Sequence, residues 1–381
     1  MNGKKWIKNW FIIITIMIPV IGIFNYLIDP YGIYEINFID LPKTEQAKRI
    51  RLVKIVRVSQ IKPVSISLGT SRTEYAYDPN HKYFLKPSYN FAVSGASMYE
   101  LKRNFEWALQ EGNLKQVLLV VDYRMLNASA QKAIKDFDTY FNSLQNYKYL
   151  FSIDTLNDSF LTLMGKGNNS LYLDNGQNTY PWKNIFNMGG HLKKMQEDER
   201  IYYKNSPTDY RYRDTGKKSF PDFEYIVKKC YEKDIQLDII FGPSHIRQWE
   251  ALNYYLGYDK WLQFKKDVVL SVNKIAEYQH KKQFRIMDFS VYHKLTAERV
   301  PKKLRGKMKY HWDSNHYKNE LGLIVLNRLM KKSKFKGFGV ELNLMNIDEH
   351  LEQQKVNRIK FIDVEKYQFE VFGMLKNKTS Q

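Results

Sequence analysis

The feature that most constrains this chain is an uncharged apolar segment close to its N-terminus. Residues 11–28 read FIIITIMIPVIGIFNYLI and contain no charged side chain. As a helix rising 1.5 Å per residue, this segment covers roughly 27 Å, close to the hydrocarbon thickness of a bilayer. The core helix of a soluble domain normally keeps a polar face, whereas this segment is apolar on every side. The sequence therefore predicts a transmembrane anchor over residues 1–30.

The charges that flank this segment predict its orientation. Three lysines lie within the first eight residues, whereas the first charges after the segment are acidic, at Asp29, Glu35 and Asp40. Basic residues favour the cytoplasmic side, so the rest of the chain is expected on the extracytoplasmic side of the cell membrane. A cleaved signal peptide is less favoured, because the apolar stretch is long and no small-residue cleavage site follows it.

The overall charge narrows the expected partners. The chain has 60 Lys and Arg against 40 Asp and Glu, a formal net charge of +20. Such a balance favours polyanions, including acidic membrane lipid and anionic envelope polymers. Nucleic acid is not expected, because the basic residues are mostly lysines and no zinc-ligand set or RNA-binding motif occurs. A single cysteine, Cys230, excludes an internal disulfide and a multi-cysteine metal site, and no metal or cofactor is expected.

Residues 31–62 form the predicted link to the main domain. Within them, residues 43–60 read KTEQAKRIRLVKIVRVSQ, with Ile50, Val53 and Val56 set among basic residues. This pattern predicts a basic amphipathic helix. Such a helix either rests on anionic lipid or packs as a collar beneath the domain.

From residue 63 onward, short apolar runs alternate with helical patterns. The predicted strands are 63–68, 89–93, 115–122, 235–241 and 284–289, and the predicted helices are 99–110, 220–233, 247–280 and 317–331. Buried strands that alternate with amphipathic helices predict an α/β three-layer sandwich with a parallel central sheet. We expect one main domain over 63–334, a weakly periodic insertion at 137–215, and a C-terminal extension over 335–381 that adds a strand and a helix.

Three short motifs carry the residues suited to chemistry. Gly69-Thr70-Ser71 follows the first strand, and the turn at Gly95 follows the second. Far downstream, Asp313 precedes His316 by three positions, a spacing at which a carboxylate reaches Nδ1 of the imidazole and leaves Nε2 free to take a proton. Ser71 and Asp313, taken alone, also suit helix caps. The order of the three motifs, after the right strands and behind an export anchor, favours a Ser-His-Asp triad.

This set resembles the SGNH/GDSL hydrolase superfamily, over roughly residues 63–331. It is most similar to the membrane-anchored extracytoplasmic branch that includes the teichoic-acid D-alanylation protein and the alginate and peptidoglycan O-acetylation proteins. The resemblance implies a flavodoxin-like sandwich of the SGNH-hydrolase type. It also implies that Ser71 is the nucleophile, His316 the general base and acid, and Asp313 the residue that orients it.

The same resemblance implies an oxyanion hole. Its donors would be the main-chain N–H groups of Ser71 and Gly95. The family's third block, Gly-x-Asn-Asp, is absent here, and Val120-Val121-Asp122-Tyr123-Arg124 takes its place. Asn127 is therefore a candidate for the missing side-chain donor.

Four further residues are candidate substrate contacts. Arg72 follows the serine, Asp122 ends the third strand, His245 follows the fourth strand, and Trp312 precedes the Asp-x-x-His motif. Arg72 suits a carboxylate or phosphate of a donor or acceptor, or an ion pair with an acid such as Glu74, and Trp312 suits a sugar ring. A hydrogen-bonded loop histidine is an equally good explanation of His245, and packing against the last helix is an alternative for Trp312.

These expectations combine into one leading function and two alternatives. The leading function is a membrane-anchored serine O-acyltransferase that moves an acetyl or D-alanyl group through an acyl-serine onto an envelope polysaccharide or teichoic-type polymer. The resemblance implies a multispanning membrane O-acyltransferase as its partner. The alternatives are an extracytoplasmic carbohydrate esterase with the same triad and a non-catalytic envelope scaffold.

Overall fold

The computed structural model describes residues 3–34, 41–126, 131–166, 171–179, 182–201, 204 and 209–373. The chain forms two compact units, one from Met1–Gln60 and Lys135–Leu173 and the other from Ile61–Ile134 and Asp174–Gln381. The division runs through the predicted insertion at 137–215, whose first part belongs to the unit that contains the N-terminus.

The described residues contain thirteen α-helices and six strands. In chain order the helices are α1 Gly3–Ile28, α2 Ile50–Ile61, α3 Ser71–Ala76, α4 Met98–Glu111, α5 Ile153–Leu163, α6 Trp182–Asn187, α7 His191–Ile201, α8 Phe220–Glu232, α9 Ile246–Leu256, α10 Tyr258–Tyr278, α11 Asn319–Leu329, α12 Ile347–Phe361 and α13 Val364–Phe372. The strands are β1 Ser65–Leu68, β2 Ser88–Asn90, β3 Gln116–Val121, β4 Gln236–Phe241, β5 Arg285–Asp288 and β6 Val340–Leu342. Short 3₁₀ helices span Gln46–Arg49, Tyr123–Leu126, Phe137–Phe141 and Ser143–Tyr149.

Helix α1 dominates the first unit. Its 26 residues span about 39 Å, and its most apolar 18-residue window has a mean hydropathy of 2.4. It is therefore long and apolar enough to cross a membrane. The C-terminal end of α1 packs on α5, where Ser159 Oγ donates to Asn25 Oδ1 at 3.0 Å and the rings of Phe24 and Phe160 lie 4.9 Å apart.

The predicted collar helix is divided into two elements. Residues Gln46–Arg49 are 3₁₀-helical, and α2 follows. Six of its twelve residues are buried, among them Lys54, whose ammonium lies 5.3 Å from the centre of the Tyr172 ring. A helix that rests on lipid headgroups keeps its lysines on the polar face. Lys54 is therefore packed on protein within the first unit.

The second unit is built on one six-stranded sheet. Its order is β2-β1-β3-β4-β5-β6, and neighbours from β2 to β5 run parallel. All six residues of β3 are buried, as a strand covered on both faces requires. The parallel α/β sheet predicted from the sequence is confirmed. The order 2-1-3-4-5 reverses direction between β1 and β3, which is the point where open α/β sheets bind ligands.

Helices cover both faces of this sheet. On one face, Leu118 and Val120 of β3 join a buried cluster with residues of α3 and α11. Helix α11 approaches α3 so closely that a Cβ on Gly322 would lie 1.9 Å from the carbonyl oxygen of Ala76. On the other face, Phe241 of β4 contacts Phe264 of α10, and α10 packs on α8 and α9.

Two sequence predictions about the helices need correction. The single helix predicted over 247–280 is two helices, because Gly257 between α9 and α10 has φ +88°, a left-handed conformation that ends the first helix. The C-terminal extension adds an antiparallel edge strand, β6, paired with β5, and then two helices where one was predicted.

Candidate active site

The nucleophile candidate lies where β1 turns sharply into α3. Ser71 is the first residue of α3, three positions after the end of β1. The turn requires glycine at position 69, because a Cβ there would lie 2.0 Å from Thr73 Oγ1. Ser71 is thereby held at the carboxyl edge of the sheet and stays partly exposed. Because Ser71 lies in the first turn of α3, no earlier carbonyl group of the helix is available to accept a hydrogen bond from its N–H.

The predicted triad residues are within hydrogen-bonding distance of one another. Ser71 Oγ lies 2.8 Å from His316 Nε2, although 245 positions separate the two residues. His316 Nδ1 lies 2.8 Å from Asp313 Oδ2 and 3.0 Å from Oδ1. A carboxylate only accepts hydrogen bonds, so Nδ1 carries the proton, and Nε2 of the neutral imidazole accepts from the serine hydroxyl.

Asp313 is held in its ionised form. Burial raises the pKa of this carboxyl, but the adjacent imidazole of His316, the ammonium of Lys194 and the hydrogen bonds from His316 together lower it by more. The net effect holds the pKa of Asp313 well below its ordinary value. Asp313 Oδ1 also accepts from the N–H of Asn315 at 2.8 Å. The same carboxylate therefore shapes its own loop and orients the imidazole.

Arg72 and Asp122 form a buried ion pair. Arg72 Nη1 lies 2.7 Å from Asp122 Oδ2, and the same oxygen accepts from Thr70 Oγ1 at 2.6 Å. Arg72 Nε donates to the carbonyl oxygen of Asn315 at 3.1 Å. Both residues were predicted as substrate contacts. Within the described residues, their contacts tie the loops after β1 and β3 to the loop that carries His316.

That histidine loop has further supports. Ser244 Oγ also donates to the carbonyl oxygen of Asn315, at 2.8 Å, and the N–H of His245 donates to that of Ser314 at 3.1 Å. An antiparallel bridge between His311 and Tyr317 closes the loop at its base. Because these contacts fix its backbone, the loop holds His316 in place through main-chain atoms as well as through Asp313.

His245 is buried, and both of its ring nitrogens have partners. Nε2 lies 2.8 Å from the carbonyl oxygen of Glu298, and Nδ1 accepts from the N–H of Arg247 at 3.3 Å. Burial, with the nearby imidazole of His311, holds the pKa of His245 well below its ordinary value. No ring nitrogen is left for a substrate. Of the two explanations that the sequence left open, the structure favours the hydrogen-bonded loop histidine.

Trp312 is half-buried beside the triad. Its carbonyl oxygen lies 2.9 Å from His191 Nδ1, and the ammonium of Lys318 lies 4.4 Å from the centre of its ring. Burial lowers the pKa of Lys318 to about 8. Because one side of the indole is covered by Lys318, only the remaining surface is open to a sugar ring.

The turn at Gly95 lies at the same edge as Ser71. The N–H of Val93 donates to the carbonyl oxygen of Gly69 at 3.1 Å, which joins the two loops. Gly95 is exposed, has φ +69°, and has open space where a Cβ would point. Ser94 Oγ donates to Glu74 Oε2 at 2.5 Å, which anchors the turn to α3. Asn127, the candidate third donor, lies outside the described residues.

Two neighbours of the triad were missed by sequence reasoning. The Tyr75 ring lies 5.1 Å from the His316 ring in an edge arrangement. Its spacing of four from Ser71, on one face of a helix, was the available signal. His191 was also missed. Its Nε2 accepts from the N–H of Met308 at 3.2 Å while Nδ1 holds Trp312, and nothing local in the sequence indicates that contact.

Comparisons with known proteins add little to this geometry. No protein-family model matches the chain, and no curated protein matches it in sequence. A solved structure from Streptococcus pneumonia, provisionally described as a platelet activating factor, is 11% identical over 76% of this chain and 92% of its own, with a TM-score of 0.34. That similarity is too low to indicate a function for this chain.

Proposed function

We propose that the second unit is an SGNH-type serine acyltransferase of flavodoxin-like architecture. The observation that carries the proposal is the 2.8 Å separation of Ser71 Oγ and His316 Nε2, with Asp313 on the other ring nitrogen. The strand order and the position of Ser71 at the reversal between β1 and β3 support the architecture. The sequence resemblance supports the assignment to the anchored branch.

In the proposed reaction, Ser71 Oγ attacks the carbonyl carbon of an acyl donor while His316 Nε2 takes the hydroxyl proton. The N–H groups of Ser71 and Gly95 make no hydrogen bond to the described residues and are suited to stabilise the oxyanion. Each such donor typically contributes 10²–10³ in rate. The protonated imidazole then returns its proton to the leaving group, and an acyl-serine remains.

The second half of the reaction decides between transferase and esterase. An acceptor hydroxyl, deprotonated by His316, attacks the acyl-serine to give an acylated polymer, whereas water gives a free acid. The apolar helix α1 and the net charge of +20 support an acceptor in the envelope, because both favour work beside a membrane on an anionic polymer. We accordingly propose acetyl or D-alanyl transfer, with a multispanning membrane O-acyltransferase as the donor protein.

The test is to capture the acyl-serine in the full chain purified in neutral detergent. With an activated acetyl ester, intact-mass analysis is expected to detect one acetyl adduct, and peptide mapping should locate it at Ser71. The matched variants are Ser71→Ala, expected to give no adduct, and Ser67→Ala, which removes a buried serine of β1 and should leave the adduct intact. An adduct of equal yield in Ser71→Ala would overturn the proposal.

Adding an oligosaccharide or polyol acceptor separates the two enzymatic alternatives. A transferase should release acylated acceptor and consume the ester faster as acceptor concentration rises. Ester hydrolysis that does not respond to any acceptor would favour the esterase. Full activity of Ser71→Ala in cells that lack the unmodified chain would instead favour the scaffold.

A further inference from the structure

A strongly basic loop leads directly into the candidate active site. Residues 299–309, here called the basic loop, contain no acidic residue. Their six basic side chains are all exposed: Arg299, Lys302, Lys303, Arg305, Lys307 and Lys309. Within the described part of the chain, Arg299, Lys302, Lys303 and Arg305 form no ion pair. Four positive charges are therefore available to an external anion.

Internal contacts hold the basic loop in one shape. The carboxylate of Glu298 accepts hydrogen bonds from the N–H groups of Lys309 and Tyr310, which closes the loop at its base. The N–H of Met308 donates to His191 Nε2 at 3.2 Å. Gly190 permits close approach of the middle of the loop, since a Cβ there would lie 2.9 Å from the carbonyl oxygen of Leu304. Arg299, Lys302, Lys303 and Arg305 are thus held near one another in the folded protein, with no counterion among the described residues.

A groove of about 470 Å³ runs between the basic loop and α7. Lys193, Arg200 and Lys302 line it, against the single carboxylate of Glu197. Lys193 and Lys302 form no ion pair with the described residues. A concave site with an excess of positive charge concentrates anions, and lysine binds phosphate or carboxylate as a compact point charge.

The groove is close to the triad. Helix α7 lines the groove with Lys193 and Gln196, while its residue His191 contacts the loop of Trp312. Helix α7 therefore contacts both the groove and the histidine loop. The basic loop itself ends four residues before Asp313. A polymer bound in the groove would therefore lie beside the helix that contacts the loop of His316.

We propose that this groove and the basic loop bind a polyanionic segment of the acceptor polymer and thereby present a neighbouring hydroxyl to Ser71. The inference rests on the proposed acyl transfer. A groove suits an extended strand better than it suits the flat surface of a membrane, so a polymer is the occupant that the geometry favours. The bound segment carries repeated negative charge, and its recognition is electrostatic.

The test measures binding of the full chain in neutral detergent to fluorescently labelled inorganic polyphosphate, with labelled neutral dextran for comparison. The site variant is the triple substitution Lys193→Gln, Lys302→Gln, Lys303→Gln. The control triple, Lys260→Gln, Lys274→Gln, Lys282→Gln, removes the same charge from exposed lysines that form no ion pair within the described residues. We expect the site variant to weaken polyphosphate binding about tenfold or more, with a shallower salt dependence, and the control to stay within about twofold.

Three outcomes would overturn the proposal. Equal weakening in both triples would mean that net charge alone attracts the polymer, and no weakening in the site variant would mean that the groove is not used. If the site variant lost binding to phosphatidylglycerol vesicles but kept polyphosphate binding, the surface would serve the membrane. Matching thermal unfolding midpoints would exclude misfolding as a cause of any difference.

Binding and chemistry can be separated in the same material. Ser71→Ala should bind polyphosphate as the unmodified chain does. If the unmodified chain formed no acyl-serine, the proposed function would be disproved, whereas the proposed binding in the groove would stand. If the site variant formed the acyl-serine normally and bound polyphosphate as tightly as the unmodified chain, only the proposed role of the groove would be disproved. In an acceptor assay, the site variant should raise KM for an anionic acceptor while formation of the acyl-serine is unchanged.

Discussion

Arg72 donates from Nε to the main-chain carbonyl of Asn315 at 3.1 Å, across 243 positions of the sequence. Arg72 follows the serine directly, and Asn315 precedes the histidine directly. A single side chain therefore links the backbones that carry the two reacting groups, and Asp122 holds its guanidinium from the other side. Arginine suits this place because its planar guanidinium donates in several fixed directions at once.

Replacing Arg72 is expected to disturb this link and slow the reaction. Arg72→Lys keeps the charge but loses the fixed geometry, so we expect kcat with an activated ester to fall about 10²-fold with KM nearly unchanged, as a small misplacement of reacting groups does. Steady-state kinetics check the split. A rise in KM with unchanged kcat would indicate a substrate contact instead, which was the role predicted from the sequence.

The ion pair of Arg72 and Asp122 is also expected to stabilise the folded chain. Arg72→Gln leaves the carboxylate of Asp122 buried without its cation, and we expect the free energy of unfolding to fall by about 3 kcal/mol. The double variant Arg72→Gln, Asp122→Asn removes both charges and should recover part of that loss. Urea unfolding in detergent of four chains measures it: the unmodified chain, Arg72→Gln, Asp122→Asn and the double variant. If the double variant lost more stability than the two single variants together, the result would contradict the pairing.

The carboxylate of the triad is expected to act through tautomer and orientation. Asp313→Asn keeps the shape of the side chain but no longer fixes the proton on Nδ1, so kcat should fall by about 10⁴ while the chain stays folded. Asp198→Asn is the matched control, because Asp198 pairs with Lys194 at 2.5 Å and acts on His316 through its nearby charge. A comparable loss in both variants would show that general electrostatics, not the triad, is responsible.

The turn before Ser71 is expected to tolerate no Cβ. Gly69→Ala places a methyl group 2.0 Å from Thr73 Oγ1 and should cost about 1–3 kcal/mol in the free energy of unfolding or displace the serine. Gly95→Ala has open space around its Cβ and carries only the penalty of its left-handed φ, about 1 kcal/mol. Thermal unfolding and acyl-serine yield compare the two. Equal effects would contradict a steric role for Gly69.

The lowered pKa of Lys318 should make the free energy of unfolding depend on pH. Burial lowers its pKa from 10.5 to about 8, so between these values the folded state binds fewer protons than the unfolded state. The contribution of Lys318 to the free energy of unfolding must then rise with pH across that window, by at most about 3 kcal/mol. Lys318→Met does not titrate there. The free energy of unfolding of the unmodified chain should therefore increase relative to that of the variant from pH 8 to 10.5, and a parallel course would disprove the shift.

Local patterns in the sequence predicted much of the architecture. The uncharged segment at 11–28 lies within a helix long enough to span a bilayer, and the apolar run at 115–122 is the buried strand β3. Both features depend on residues adjacent in the chain, since hydrophobicity and backbone preference act over a few positions. The break at Gly257 was missed because a lone glycine does not by itself end a helical pattern.

Short runs of residues were enough to predict the strands, the apolar N-terminal helix and the order of serine, carboxylate and histidine. The contact partners of the site residues depend on how the chain folds in three dimensions. The tertiary structure paired Arg72 with Asp122, occupied both ring nitrogens of His245, and set Tyr75 against His316. Those contacts depend on strand register and on loops from distant parts of the chain, and no local preference specifies which distant side chain arrives at a given place.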